Sequence, residues 1–238
     1  MADFHSMDTR VGSNAVIDQG LRTHMNKVYG TMSVGLLLTA LVAWAVGNNE
    51  ALLQTFFTGY VRYIVMFAPL IMVFAFGAAI NRLSAAGAQL FFYAFAAVMG
   101  LSIAWIFAVF TGFSITQTFL ITSAAFAGLS LWGYTTKKDI SGWGSFLIMG
   151  VIGLIIASVV NIFLKSDMVQ FAISAIGVLI FAGLTAYDTQ KIKNDYLAHA
   201  HHGDQEWLAK SAIMGALNLY LDFVNLFMFL LQFLGNRE

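Results

Sequence analysis

The chain has 238 residues, 59% of them hydrophobic and only 10% charged, with a formal net charge of zero. A soluble domain carries about 25% charged residues, so this composition excludes an ordinary globular core and points to an all-α integral membrane protein. Zero net charge argues against a nucleic-acid partner, and the absence of cysteine excludes disulfides, thiolate metal sites and a cysteine nucleophile.

Residues 1–27 are polar and lack the apolar core behind a basic start that a secretory signal requires. Within them Ile17, Leu21 and Met25, continued by Val28, recur at helical spacing, which predicts an amphipathic helix at the cytoplasmic interface. A spanning helix needs about 20 mostly apolar residues. Seven segments qualify: 28–46, 62–80, 86–110, 116–135, 143–164, 169–192 and 212–234. Pro69 falls inside the second and is expected to kink it. Ala96/Gly100, Ala124/Gly128, Gly150/Gly153 and Gly177/Gly183 offer small surfaces where helices can approach closely in lipid. The organisation is one membrane domain over 28–234, preceded by a cytoplasmic segment over 1–27 and followed by a short tail over 235–238. Nine Lys and Arg residues fall on one side of the seven spans, among them Arg22, Arg82, Lys138 and Lys191, against Arg62, Lys165 and Arg237 on the other. That bias predicts a cytoplasmic N-terminus and an outside C-terminus.

Asp222 lies in the middle of the last apolar segment. A carboxylate at bilayer depth costs at least about 2.5–3.5 kcal/mol, so it is rarely placed there by accident. Asn218, Asp222 and Asn225 share a helix face by their spacing, with Gly215 and Gln232 extending the stripe. Asp188 is the second acid, near the cytoplasmic end of the sixth span. Asp222 sits about 15 Å from the start of its apolar segment, so a meeting of the two requires tilt or a last helix that begins below the interface. If they meet, two carboxylates in low dielectric cannot both ionise cheaply and titrate as a unit. Ionised, the pair attracts a cation, and Ca²⁺ suits carboxylate and carbonyl oxygens; Asn218 and Asn225 are candidate supporting ligands. Arg82, at the cytoplasmic end of the second span, is a candidate latch to Asp188. All five histidines lie outside the apolar segments. Of these, His199, His201 and His202 crowd the last cytoplasmic loop with Asp204 and Glu206, where a solvated loop is expected over a metal site.

The sequences Ala186-Tyr187-Asp188-Thr189-Gln190-Lys191-Ile192-Lys193 and Leu217-Asn218-Leu219-Tyr220-Leu221-Asp222-Phe223-Val224-Asn225-Leu226-Phe227 resemble the Bax inhibitor-1 (transmembrane Bax inhibitor motif) family. Gly20-Leu21-Arg22, Met25, Val28-Tyr29 and the stretch from Gly77 to Arg82 are similar to its bacterial members. The resemblance covers essentially the whole chain. It implies a seven-transmembrane-helix bundle with the last helix central, and a pH-sensitive Ca²⁺ leak across the membrane. It also implies that Asp188 and Asp222 form the pH-sensing pair and transient Ca²⁺ site, with Arg82 as latch.

The expected function is therefore a pH-sensitive cation leak channel of the inner membrane, not an enzyme and without a cofactor, whose partners are the lipid bilayer, Ca²⁺ and protons. A cation/proton exchanger would use the same acids with stoichiometric coupling. An intramembrane aspartyl protease also needs two aspartates on adjacent helices, and Tyr187-Asp188 matches half of its pattern. Tyr220-Leu221-Asp222 stands where such enzymes carry Gly-x-Gly-Asp, and no Pro-Ala-Leu follows. A regulatory partner of membrane protein complexes is a further alternative with no discriminating feature. A retinal protein is excluded, because no lysine lies in mid-span.

Overall fold

A hydrocarbon environment offers the backbone no hydrogen-bond partner, so apolar runs of this length close their hydrogen bonds internally as helices. The computed structural model describes residues 3–199 and 204–236, with side chains from residue 17 onward; His201, His202 and Arg237 lie outside the described residues. The chain is an all-α integral membrane protein. Its helices are α1 (Asp3–Gly47), α2 (Glu50–Phe57), α3 (Val61–Ala79), α4 (Ala85–Ile103), α5 (Gly112–Thr135), α6 (Trp143–Leu164), α7 (Asp167–His199) and α8 (Gln205–Leu234), with a 3-10 turn over Ala104–Ala108 after α4. Seven of them, α1 and α3 to α8, are long and apolar enough to cross a membrane, matching the seven expected segments.

Helix ends follow local chemistry. Asn49, Ser84, Thr111 and Asp204 are extended residues whose side chains accept a hydrogen bond from the backbone N–H three residues on, which caps α2, α4, α5 and α8. α6 stops at Lys165, a non-glycine residue in the left-handed region with φ 49°. The short α2 has no counterpart among the expected elements; it is eight residues long, with Asn49 as cap and Glu50 in its first turn. Pro69 is buried within α3.

Burial separates the helices. The apolar window of α8 is 67% buried, against 17–39% for the other six. α8 packs against α7 most extensively, and also against α1, α4 and α5, whereas α6 packs on α7. The main core joins Met25, Val28 and Met32 of α1, Phe92 and Phe95 of α4, Phe126 of α5, and Ile213, Leu219, Tyr220 and Leu231 of α8. A second cluster joins α6, α7 and α8 through Leu147, Leu154, Ile173, Ile180 and Leu226.

Further details differ from the sequence reading. α1 runs without a break through residue 27, and Leu21, Met25 and Val28 belong to the main core. α1 packs on α4 and α8, and α7 runs on to His199, far enough for Tyr196 to reach α1: Tyr196 lies against Gly20 and its ring is 4.9 Å from that of His24. His24, placed outside the apolar segments by sequence, is accordingly buried, and its Nε2 has no hydrogen-bond partner among the described residues. Of the small-residue pairs, Ala96 and Gly100 are buried against α1, where a Cβ on Gly100 would sit 2.5 Å from the Thr39 carbonyl oxygen. Ala124 and Gly128 are exposed, with open space at Gly128.

Candidate functional site

α7 and α8 are antiparallel neighbours, and each continues beyond its apolar segment. α8 begins at Gln205, seven residues before the apolar run starts at Ala212, which adds about 10 Å of helix. Glu206 and Lys210 form an i,i+4 ion pair at 3.0 Å in that extension, and Asp204 caps it through the Trp207 N–H at 3.0 Å. A last helix that starts below the interface is the condition the depth of Asp222 demanded.

The carboxyl groups of Asp188 and Asp222 lie within hydrogen-bonding reach of one another. A carboxyl–carboxyl hydrogen bond needs one proton, since two ionised carboxylates only accept. Asp222 is 4% exposed, and its Oδ2 meets no donor among the described residues. Asp188 is partly buried, and the Lys191 ammonium, three residues on, is the cation whose charge bears on it. The pair is therefore placed where it can share one proton, with Asp222 buried on α8 and Asp188 partly exposed on α7.

The neighbours of Asp188 are fixed by polar bonds that cross helices. The Thr189 hydroxyl donates to the Thr185 carbonyl at 2.7 Å and lies 2.9 Å from Ser130 Oγ on α5. Ser130 Oγ in turn lies 2.6 Å from Tyr29 Oη on α1. Gln190 spans the α5–α6 connection, donating from Nε2 to Lys138 O at 2.8 Å and accepting at Oε1 from the Ile140 N–H at 2.9 Å. Lys193 Nζ donates to Tyr134 O at 2.7 Å. The backbones of α5 and α7 touch at Gly133, where a Cβ would run into the Ala186 carbonyl. This contact sets the α7 backbone two residues from Asp188.

The other candidates stand apart from the pair. Arg82 is exposed in the α3–α4 connection, and the Arg82–Asp188 ion pair is not formed in this conformation. Asn225 turns its amide to its own helix, donating to Leu221 O at 2.8 Å, and the half-buried Asn218 makes no hydrogen bond to Asp222 among the described residues. Gln232 belongs to a separate polar cluster at the far end of α8, where its Oε1 accepts from Gln170 Nε2 at 2.7 Å and Gln170 Oε1 accepts from Asn161 Nδ2 at 3.2 Å. Where α7 ends and α8 begins, His199 stacks on Trp207 at 4.2 Å and its Nδ1 lies 2.9 Å from Asp195 O. Among the described residues no group of three or more His, Asp or Glu is placed to hold a metal ion.

Tyr29, Ser130, Thr189 and Gln190 were not singled out from sequence as a network. Thr189 and Gln190 directly follow Asp188, but Ser130 lies 59 residues from Thr189 and Tyr29 lies 101 residues from Ser130. No local spacing could have joined them.

A family model described as inhibitor of apoptosis-promoting Bax1 matches residues 21–238. Inner membrane protein YbhL of Escherichia coli strain K12 is 46% identical over 235 residues, covering 98% of this chain and 100% of that protein. An uncharacterized protein of Rickettsia prowazekii is 44% identical over 238 residues, covering all of both chains. An uncharacterized protein of Borreliella burgdorferi is 42% identical over 214 residues, covering 89% of this chain and 91% of that one.

Proposed function

The chain belongs to the Bax inhibitor-1 family, and from that membership and its buried acid pair we propose that it is a pH-sensitive cation leak of the bacterial inner membrane. Ca²⁺ is the permeant ion, and protonation of Asp188 and Asp222 is the gate. The observation that carries this reading is the approach of the two carboxyl groups to hydrogen-bonding reach inside the bundle. With one proton the pair ties α7 to α8. With none it carries two negative charges, which repel one another and attract a divalent cation. Ca²⁺ takes six to eight oxygen ligands, so two carboxylates hold it only in passing, as a leak requires. The Arg82 latch belongs to the state in which Asp188 is ionised and released from Asp222.

The excess of Lys and Arg on one side supports a cytoplasmic N-terminus and an outside C-terminus. The name of the Escherichia coli relative supports the inner membrane as location. The deep burial of α8 supports a bundle with the last helix central, in one membrane domain over 28–234. No covalent chemistry and no cofactor are assigned to the pair; its partners are protons, Ca²⁺ and the bilayer.

The test is Ca²⁺ flux in proteoliposomes between about pH 6 and 8, comparing wild type with Asp188→Asn and Asp222→Asn. A flux that varies with pH in the wild type and not in the variants is expected. Equal, pH-independent flux in all three would sink the gate, and stoichiometric counter-movement of protons would replace the leak by an exchanger.

A further inference from the structure

α1 and α5 both pack on α8, and a cavity of about 850 Å³ lies between them. Its walls are apolar over most of their length: Met32, Leu36 and Ala40 on α1, Phe119 and Ala127 on α5, and Phe223 of α8. A smaller cavity of about 200 Å³ adjoins it, sharing Leu36, Ala40, Phe119 and Phe223 and continuing to Ala43 and Ile115. The mouth is flanked by Leu37 and Leu131, which are 60% and 63% exposed; in a membrane these side chains face hydrocarbon. Ser33 and Ser123 lie midway along the walls, and the remaining polar lining collects at one end. Arg22 and Asn26 begin the α1 wall and Tyr134 ends the α5 wall. The Tyr29–Ser130 hydrogen bond bridges the two helices within this cavity.

From this geometry we infer that the groove is a binding site for one anionic phospholipid of the surrounding bilayer, its phosphate on Arg22 and one acyl chain laid between α1 and α5. The dimensions select the occupant. From Arg22 to Ala40 the α1 wall is about 27 Å long, an elongated shape that suits one extended hydrocarbon chain. Its volume falls in the range of about 300–1,000 Å³ typical of small-molecule pockets. The charge selects the headgroup. Arg22 is exposed and in no ion pair among the described residues, and a guanidinium matches a phosphate in two-point geometry. It also stands on the Lys- and Arg-rich side of the spans, at the depth where a headgroup meets the protein. An ion route through the same groove is disfavoured by its apolar walls. The proposal does not rest on the gate at Asp188 and Asp222.

The experiment is native mass spectrometry of the delipidated full-length protein in detergent, with phosphatidylglycerol or phosphatidylcholine added back. Wild type retains one phosphatidylglycerol, preferred about fivefold over phosphatidylcholine, the factor that about 1 kcal/mol per basic residue supplies. Arg22→Gln keeps one bound lipid and loses the preference. Ala127→Trp fills the groove from the α5 wall and abolishes retention, and Ala40→Trp does the same from the α1 wall should the first variant fail to fold. Unchanged retention and preference in both folded filling variants would overturn the site, as would a wild type that retains no lipid. A free fatty acid retained in place of phospholipid, or a dimer that dissociates in the filling variants, would assign the groove to a different occupant and overturn the proposal equally.

Discussion

Replacing Asp222 by Asn separates the hydrogen bond from the proton it depends on. In the wild type a hydrogen bond between Asp188 and Asp222 needs at least one proton on the pair. In Asp222→Asn the Nδ2 group donates to Asp188 without any titratable proton, and the pair carries the same single negative charge as the protonated wild-type pair. The variant therefore reproduces the singly protonated wild-type pair over the pH range in which Asp188 is ionised. A hydrogen bond to a charged group contributes about 1.5–3 kcal/mol, which is about a 10- to 150-fold change in a two-state population. Wild-type Ca²⁺ flux should thus change by at least about tenfold between its acid and alkaline limits. The variant should hold the flux of the singly protonated wild type within about twofold over that range. Position 222 is the cleaner site, because Asp222 is the more deeply buried acid; Asp188→Asn would leave it facing a neutral amide. Proteoliposome flux with an encapsulated Ca²⁺ indicator gives the readout. A variant that follows the wild-type pH dependence would refute the shared proton as the gate.

Thr39 has one hydroxyl proton and three oxygens in reach, Gly35 O at 3.0 Å, Ala96 O at 2.8 Å and Tyr220 Oη at 2.6 Å, so Tyr220 donates to it. Thr39→Val strands that buried O–H and should cost about 1–3 kcal/mol, against about 0.5–1.5 kcal/mol for Tyr220→Phe; unfolding in mixed micelles checks the order, and the reverse order would be fatal to the assignment. Gly133→Ala drives a methyl into the Ala186 carbonyl and should destabilise by about 1–3 kcal/mol. Gly128→Ala, inside the same helix with open space around it, should be neutral or stabilising by up to about 1 kcal/mol in the same unfolding assay in mixed micelles. Gln190→Ala removes the acceptor of the buried Ile140 N–H at a cost of about 1–3 kcal/mol. Faster amide exchange confined to the α5–α6 connection is the expected signature, and unchanged exchange there would show that Gln190 does not hold it.

The sequence by itself determined the number of spans and most of their limits, because a backbone in hydrocarbon has only the helix available and the apolar run sets the least length of each span. It also determined that Asp222 is exceptional, because the cost of a charge at that depth is a property of position along one helix. The shared helix face of Asn218, Asp222 and Asn225 was legible for the same reason, although their roles were not: Asn225 serves its own backbone. What only the tertiary structure decided is everything that depends on the register between helices. The meeting of Asp188 with Asp222 follows from an α8 that starts at Gln205 and an α7 that runs to His199. The burial of His24 under Tyr196, the separation of Arg82 from the pair, the Tyr29–Ser130–Thr189 network and the groove beside it are likewise decided by which helices pack together. Helical periodicity states which face a residue occupies; it carries no information on which residue of another helix, 59 or 101 positions away, will stand opposite.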